Sequence, residues 1–263
     1  MASRTPTWAW SRPSSGKKPP GYPSWTWPTP YPPQDLRRAA YALFEALPYL
    51  PEQAVVLAVV DPGVGTKRRA IAALGRRLYV GPDNGLFTLA WLLDPPIRAH
   101  EITCISPPSP KGILPLPGWA PGGHTFHGRD LFAPAAAHLA LGLAAEGLGP
   151  EVPAQDLLRL PLTLTPGPEG EILTFDRFGN AITTLLEAPL NGLVEVAGKR
   201  IPIRQTFGQV EAGEAVAYLG SGGLLEIALN RGNAKEALGL REGMPVVILP
   251  PPSGPPHPTD PRP

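Results

Sequence analysis

Asp61 ends the unbroken apolar run Ala54–Val60, and Lys67, Arg68 and Arg69 follow within eight residues. Pro62, Gly63 and Gly65 between them demand a tight, non-helical loop. One loop therefore delivers a carboxylate and a guanidinium to the same rim. A strand that ends in Asp before a Gly/Pro turn is also ordinary turn chemistry, so these residues alone leave both readings open. The loop faintly resembles a phosphate cradle but lacks the G-x-x-x-x-G-K-[ST] spacing, and a triphosphate site is not expected.

Other polar clusters could also do chemistry. His124, His127 and Asp130 fall in H-T-F-H-G-R-D, a spacing that metal ligands use. No second cluster completes a coordination shell and no H-E-x-x-H helix exists, so no metal is expected; capping of the following helix is the stronger alternative. Asp83 and Asn84 lie in G-P-D-N-G and would cap a helix over 86–93. Asp176 and Asn180 flank the turn of F-D-R-F-G-N. Ser221, Asn230 and Asn233 punctuate G-S-G-G-L-L-E-I-A-L-N-R-G-N. Each of these alone is plain turn chemistry.

The elements that must position these groups follow from pattern. The Ala54–Val60 run, rich in β-branched residues, reads as a strand buried on both faces, as in a parallel sheet. In open α/β sheets ligands bind beyond the carboxyl ends of such strands, where Asp61 stands. Before it, 32–50 reads as a helix with Leu36, Ala40, Leu43, Phe44 and Leu47 on one stripe, Asp35 at its positive end, and Pro48 and Pro51 stopping it. Short strands are expected at 70–74, 78–80 and 98–105. A Pro/Gly loop, 106–123, leads to a helix with Phe132, Ala136, Leu139 and Ala140 inward. Residues 147–160 read as a connector. Beyond Pro161 short alternating runs dominate: 171–175, 181–185, 193–196, 201–203, 215–219, 224–229 and 246–249. Gly-rich turns separate them, which indicates a β-barrel or sandwich.

Composition sets outer bounds. The 263 residues suffice for one large or two small domains, and the net charge of +1 marks no nucleic-acid or membrane surface. No apolar run approaches a membrane span, and the sequence shows no signal-peptide h-region. The single cysteine, Cys104, excludes an intrachain disulfide and fits a reducing cytoplasm. The domains expected are an atypical segment 1–31, an α/β domain 32–160, a β-barrel domain 161–250 and a Pro-rich tail 251–263.

Taken together and in order, VVDPGVGTKRR, GPDNGL, TFHGRDLFAPAAA, FDRFGN and SGGLLEIALNRGNA closely resemble the S-adenosyl-L-methionine hydroxide adenosyltransferase family, relatives of the fluorinase and chlorinase enzymes. The resemblance spans roughly 32–250. It implies a Rossmann-like N-terminal α/β domain and a C-terminal β-barrel. It implies a homotrimer with substrate bound between one subunit's N-domain and its neighbour's C-domain. It also implies hydrolysis of S-adenosyl-L-methionine (SAM), here the substrate, to adenosine and L-methionine, with no separate cofactor. The family's water-handling Asp, Arg and His fall on Asp61, Arg68 and His127. Methionine-end contacts fall on Asp176 and Asn180, and adenine-end contacts on Ser221 and Asn230. The halide-using relatives lack the Arg/His pair, so its presence favours water over halide. A SAM-dependent halogenase is the alternative enzyme.

The N-terminus departs from the family, which opens with a strand, ribose-binding aspartates and a strand ending V-D-x-x-H. None of these appears in 1–31. Codons for V-D-L-A-H-A-L, read one base late, encode W-T-W-P-T-P, the sequence of Trp25 to Pro30. The segment Met1 to Tyr31 is therefore read as an out-of-frame translation. A chain lacking the ribose aspartates could be a catalytically impaired SAM- or adenosine-binding protein.

Overall fold

The computed structural model describes residues 33–103, 126–142 and 144–249. The segment 1–31, Cys104, the loop 106–123, His124 and the tail 251–263 lie outside the described residues. The chain divides into two compact units after Pro161.

In the first unit, α1 (Leu36–Ala46) starts one residue after Asp35, whose carboxylate accepts the Arg38 amide at 3.0 Å. That bond satisfies one of the orphan donors of the first turn. The helix is shorter than the 32–50 expected, because Pro48 permits only a 3₁₀ turn, Leu47–Tyr49, beyond it. Next come β1 (Val55–Leu57), β2 (Ala70–Leu74), β3 (Leu78–Pro82), α2 (Ala90–Leu93) and β4 (Arg98–Glu101). A π-helical turn, Gly128–Phe132, runs into α3 (Ala133–Ala140), and β5 (Glu151–Val152) ends the unit's sheet.

The sheet order is β1-β3-β2-β4-β5. Only β1 and β3 pair in parallel; the β2–β3 hairpin and its neighbours are antiparallel, so the sheet is mixed. The apolar run through β1 serves two cores, as its lack of alternation requires. Val56, Ala58 and Val60 pack with Leu43 of α1 and Trp91 of α2. Val55, Leu57 and Val59 pack on the opposite face with Phe132, Ala135, Ala136 and Leu139 of the π turn and α3. Ala140, expected inward, is only half-buried. The expected connector 147–160 contains β5, which extends the sheet beyond β4.

Asp94 is the buried hub of this unit. It accepts the Arg76 and Arg77 amides at 2.8 and 3.0 Å and the Tyr79 hydroxyl at 2.9 Å. Burial works against its charge. The Arg76 amide, the Tyr79 hydroxyl, the Arg77 amide and the Arg76 guanidinium outweigh that, and its carboxyl titrates below its ordinary 3.8. A lowered folded-state value adds stability that is complete above the ordinary value and disappears as pH falls through the folded one. Asp94→Ala is expected to lower unfolding free energy by about 3 kcal/mol at pH 7, since three donors, the Arg77 amide and Tyr79 hydroxyl among them buried, lose their acceptor. The deficit against the parent chain should shrink below pH 4, as denaturant melts at several pH values would record.

The second unit carries β6 (Glu169–Phe175), β7 (Ala181–Thr183), β8 (Leu193–Val196), β9 (Lys199–Pro202), β10 (Ala215–Leu219), β11 (Leu225–Leu229), α4 (Ala234–Ala237) and β12 (Pro245–Leu249). Seven antiparallel strands run in the order β10-β11-β7-β6-β12-β8-β9. The two edges meet where Ile203 bridges Ala217 and the Arg204 amide donates to Ala217 O at 2.8 Å. The sheet is thus nearly closed into a barrel, which removes its exposed edges. Ile172, Val194, Ile201, Ala217, Leu225, Ile227 and Val246 fill its interior. The β8–β9 turn takes φ of +50° at Ala197 and +70° at Gly198, the primed turn that suits a two-residue hairpin.

Candidate active site

Asp61, Arg68 and His127 come together. The chain leaves β1 at Leu57 and turns at Pro62. The loop closes on itself through Val64 N to Asp61 O at 3.3 Å and Thr66 Oγ1 to Gly63 O at 2.7 Å. This returns Arg68 over Asp61. Its Nε donates to Asp61 Oδ1 and Oδ2 at 2.9 and 3.0 Å, and its Nη2 also donates to Oδ2. A two-armed guanidinium–carboxylate contact of this kind fixes orientation as well as distance. The two side chains keep only 9% and 6% of their surface, so the pair is held largely out of water.

His127 reaches Arg68 from a distant part of the chain. It is the residue ahead of the π turn, and the Arg129 and Asp130 amides both donate to Phe126 O. The wide turn brings the His127 ring edge-on to Phe132, with centroids 6.4 Å apart, and sets its Nδ1 2.9 Å from Arg68 Nη2. A guanidinium has donors only, so Nδ1 accepts and the ring proton sits on Nε2. Phe132, fully buried, lies under the Arg68 guanidinium with its centroid 5.1 Å from Cζ. The expected capping role for this polar stretch is not what the structure has: no side chain caps the π turn, and Asp130 pairs with Arg129 at the surface.

Arg68 is the hub of the trio. Nε serves Asp61, Nη2 serves Asp61 and His127, and Nη1 donates to Arg69 O at 3.2 Å. One Nη1 proton is left beyond these contacts. No group of three or more His, Cys, Asp or Glu able to hold a metal occurs among the described residues.

Asp83 and Asn84 do not cap a helix. The segment 86–89 is a turn and α2 begins only at Ala90, with no side-chain cap. Leu86, Phe87, Leu89 and Ala90 are all buried, so the segment has no solvent face and no helical stripe. Asp83 instead pairs with Arg69, and Asn84 donates to Val60 O.

In the second unit, Asp176 and Asn180 lock the β6–β7 turn. Asp176 Oδ1 accepts the amides of Phe178 and Asn180 at 2.8 and 2.9 Å, and Oδ2 accepts Asn180 Nδ2 at 2.9 Å. Gly179 takes φ +84° and lies against Asn233, where any Cβ would collide; Asn233 also caps α4 through the Glu236 amide. Ser221 is exposed in the turn before β11, whereas Asn230 follows β11 and donates to Val210 O at 2.7 Å. The five-residue strand separates them, and the unit does not bring these two side chains together.

The first unit is thus mixed α/β with a carboxylate, a guanidinium and an imidazole gathered beyond a strand end, and the second is a nearly closed antiparallel barrel. The chain belongs to the SAM hydroxide adenosyltransferase family: residues 30–149 match the model of its N-terminal domain and 170–247 that of its C-terminal domain. An (R)-S-adenosyl-L-methionine hydrolase of Thermus thermophilus is 76% identical over 83% of this chain and 84% of its own length. The crystal structure of a conserved hypothetical protein from Thermus thermophilus superposes with a TM-score of 0.73 at 70% identity, covering 83% of this chain and 84% of that one. A fluorinase of Actinopolyspora mzabensis is 26% identical over 82% of this chain and 83% of its own length.

Proposed function

We propose that this chain hydrolyses SAM, in its (R)-sulfonium form, to adenosine and L-methionine. The observation that carries the reading is the contact of Asp61, Arg68 and His127 around one guanidinium, in a chain 76% identical to a protein named for that reaction. The fluorinase relative stands much further off, which weighs against the halogenase.

The chemistry needs little from the protein beyond aim. Water oxygen attacks C5′ of the ribose in line with the C5′–S bond. The bonding pair leaves on sulfur, the sulfonium becomes a neutral thioether, and no acid has to protonate the leaving group. The water loses one proton to Asp61 or to solvent. Asp61, gripped by Arg68, is an anchor for the water more than a strong base. The remaining Nη1 proton of Arg68 and the His127 ring stabilise hydroxide character as it develops. Fixing the water against C5′ supplies much of the rate, and a site largely closed to solvent favours a step that consumes charge. Asp176 and Asn180 act at the methionine end, and Ser221 and Asn230 at the adenine end. The working enzyme is a cytoplasmic homotrimer in which neighbouring subunits complete each site.

A second reading is supported by one observation: the family match begins at residue 30. If 1–31 is an out-of-frame product, the chain lacks the family's ribose-binding aspartates and turns over poorly. A chromatographic assay of adenosine from SAM, on this chain and on one carrying the restored frame, tests both readings. Adenosine from either supports the hydrolase, a much higher yield from the restored chain supports the impaired form, and a 5′-halogenated nucleoside in chloride or fluoride overturns the hydrolase.

A further inference from the structure

Asp83 and Asn84 lie outside the trio, yet these consecutive residues grip both ends of the loop that carries Asp61 and Arg68. At the front end, Asn84 Nδ2 donates to Val60 O at 2.9 Å, and Val60 immediately precedes Asp61. The same amide accepts Leu86 N at 3.2 Å, so both of its ends are in use and its orientation is fixed. At the back end, the Asp83 amide donates to Arg69 O at 3.0 Å. The Asp83 carboxylate, 1% exposed, takes Arg69 Nε and Nη2 at 2.9 and 2.8 Å and Leu158 N at 2.8 Å. Arg69 O is also the carbonyl that receives Arg68 Nη1. Asp83 therefore holds the acceptor on which the third nitrogen of the Arg68 guanidinium rests. The loop between these anchors is mostly exposed; its own bonds shape the turn, and Asn84 and Asp83 tie its two ends to the end of β3.

We propose that Asp83 and Asn84 are positioning residues that hold Asp61 and Arg68 in register with His127; the proposal rests on the hydrolase reading above. They touch backbone and Arg69, never the reacting atoms, so their loss should appear in turnover more than in substrate affinity. A shift of about 1 Å in a reacting constellation is worth about 10²-fold in rate.

The test is Asn84→Asp in the full chain. This change keeps the shape and the acceptor for Leu86 N but removes the donor to Val60 O. Adenosine formation should fall in kcat by about 10- to 100-fold, with KM within about threefold of the parent. Asn84→Ala, which cannot set a carboxylate against the Val60 carbonyl, should fall similarly and serves if the first variant does not fold. A second readout is independent of turnover. Exchange of the Arg68 Nε–H, followed by NMR on arginine-labelled protein and assigned with Arg68→Lys, should speed up at least tenfold in either variant. Folded variants with unchanged kcat and unchanged Nε–H exchange overturn the proposal, as does a change confined to KM. If the parent chain forms no adenosine while the restored-frame chain also forms none, the hydrolase reading falls, and the exchange measurement alone decides whether the two residues hold Arg68.

Discussion

Arg68→Ala is expected to lower kcat/KM for adenosine formation by about 10³-fold or more and to destabilise the fold by about 3–5 kcal/mol. Both effects have one cause. Arg68 touches both other members of the trio, so its removal takes away the bridge between Asp61 and His127 and strips the water of its cationic partner. It also leaves the Asp61 carboxylate, 6% exposed, without its counter-charge. Arg68→Lys separates these contributions. An ammonium restores charge beside Asp61 but offers no planar fork to span Asp61, Arg69 O and His127 at once. Its stability should recover most of the way while kcat/KM stays about 10²-fold down. Denaturant melts beside initial-rate kinetics give both numbers. Equal recovery of rate and stability in the lysine variant would mean that charge alone matters and the fork does not.

Asp61→Asn should carry the second large effect, about 10²- to 10⁴-fold in kcat. The amide occupies the space of the carboxylate and can accept one Arg68 donor, but it presents its NH₂ to the other. Arg68 then loses the two-armed grip that aims Nη2 at His127. The expected signature is a drop in kcat with SAM affinity largely kept, since Asp61 addresses the water and not the bound nucleoside. Calorimetry for affinity and a single-turnover assay for chemistry make the distinction. Weakened SAM binding with unchanged chemistry would move Asp61 from the water to the substrate.

Much of this arrangement is legible in the sequence. The seven barrel strands declare themselves because each is a short run rich in apolar residues bounded by turn residues, and some, such as L-V-E-V of β8, alternate in polarity as a half-buried antiparallel strand does. The Asp61 loop is legible because an apolar run cannot continue through Pro62 and Gly63. His127 is different. It lies 59 residues beyond Arg68, and its polar neighbours suit a cap or a metal equally well. What selects its partner is the π turn, whose extra residue turns the ring towards Arg68, and no period in the sequence signals that turn. Asp83 and Asn84 mislead for a related reason. They precede the apolar run 86–93, a pattern that resembles a capped helix. That run stays a turn until Ala90, stitched by Thr88 Oγ1 to Gly85 O at 2.6 Å and by Leu160 N to Thr88 Oγ1 at 2.8 Å. The signal that could have found them is two polar side chains where a buried turn meets the end of β3.

The most direct measurement is the product made from (R)-SAM, with and without Asp61. Chromatography of a reaction run in excess chloride, with the frame-restored chain alongside, should yield adenosine and methionine in equal amounts, and Asp61→Ala should abolish both. A 5′-chlorinated nucleoside, or adenosine formed at full rate by Asp61→Ala, would contradict the hydrolytic role of the trio.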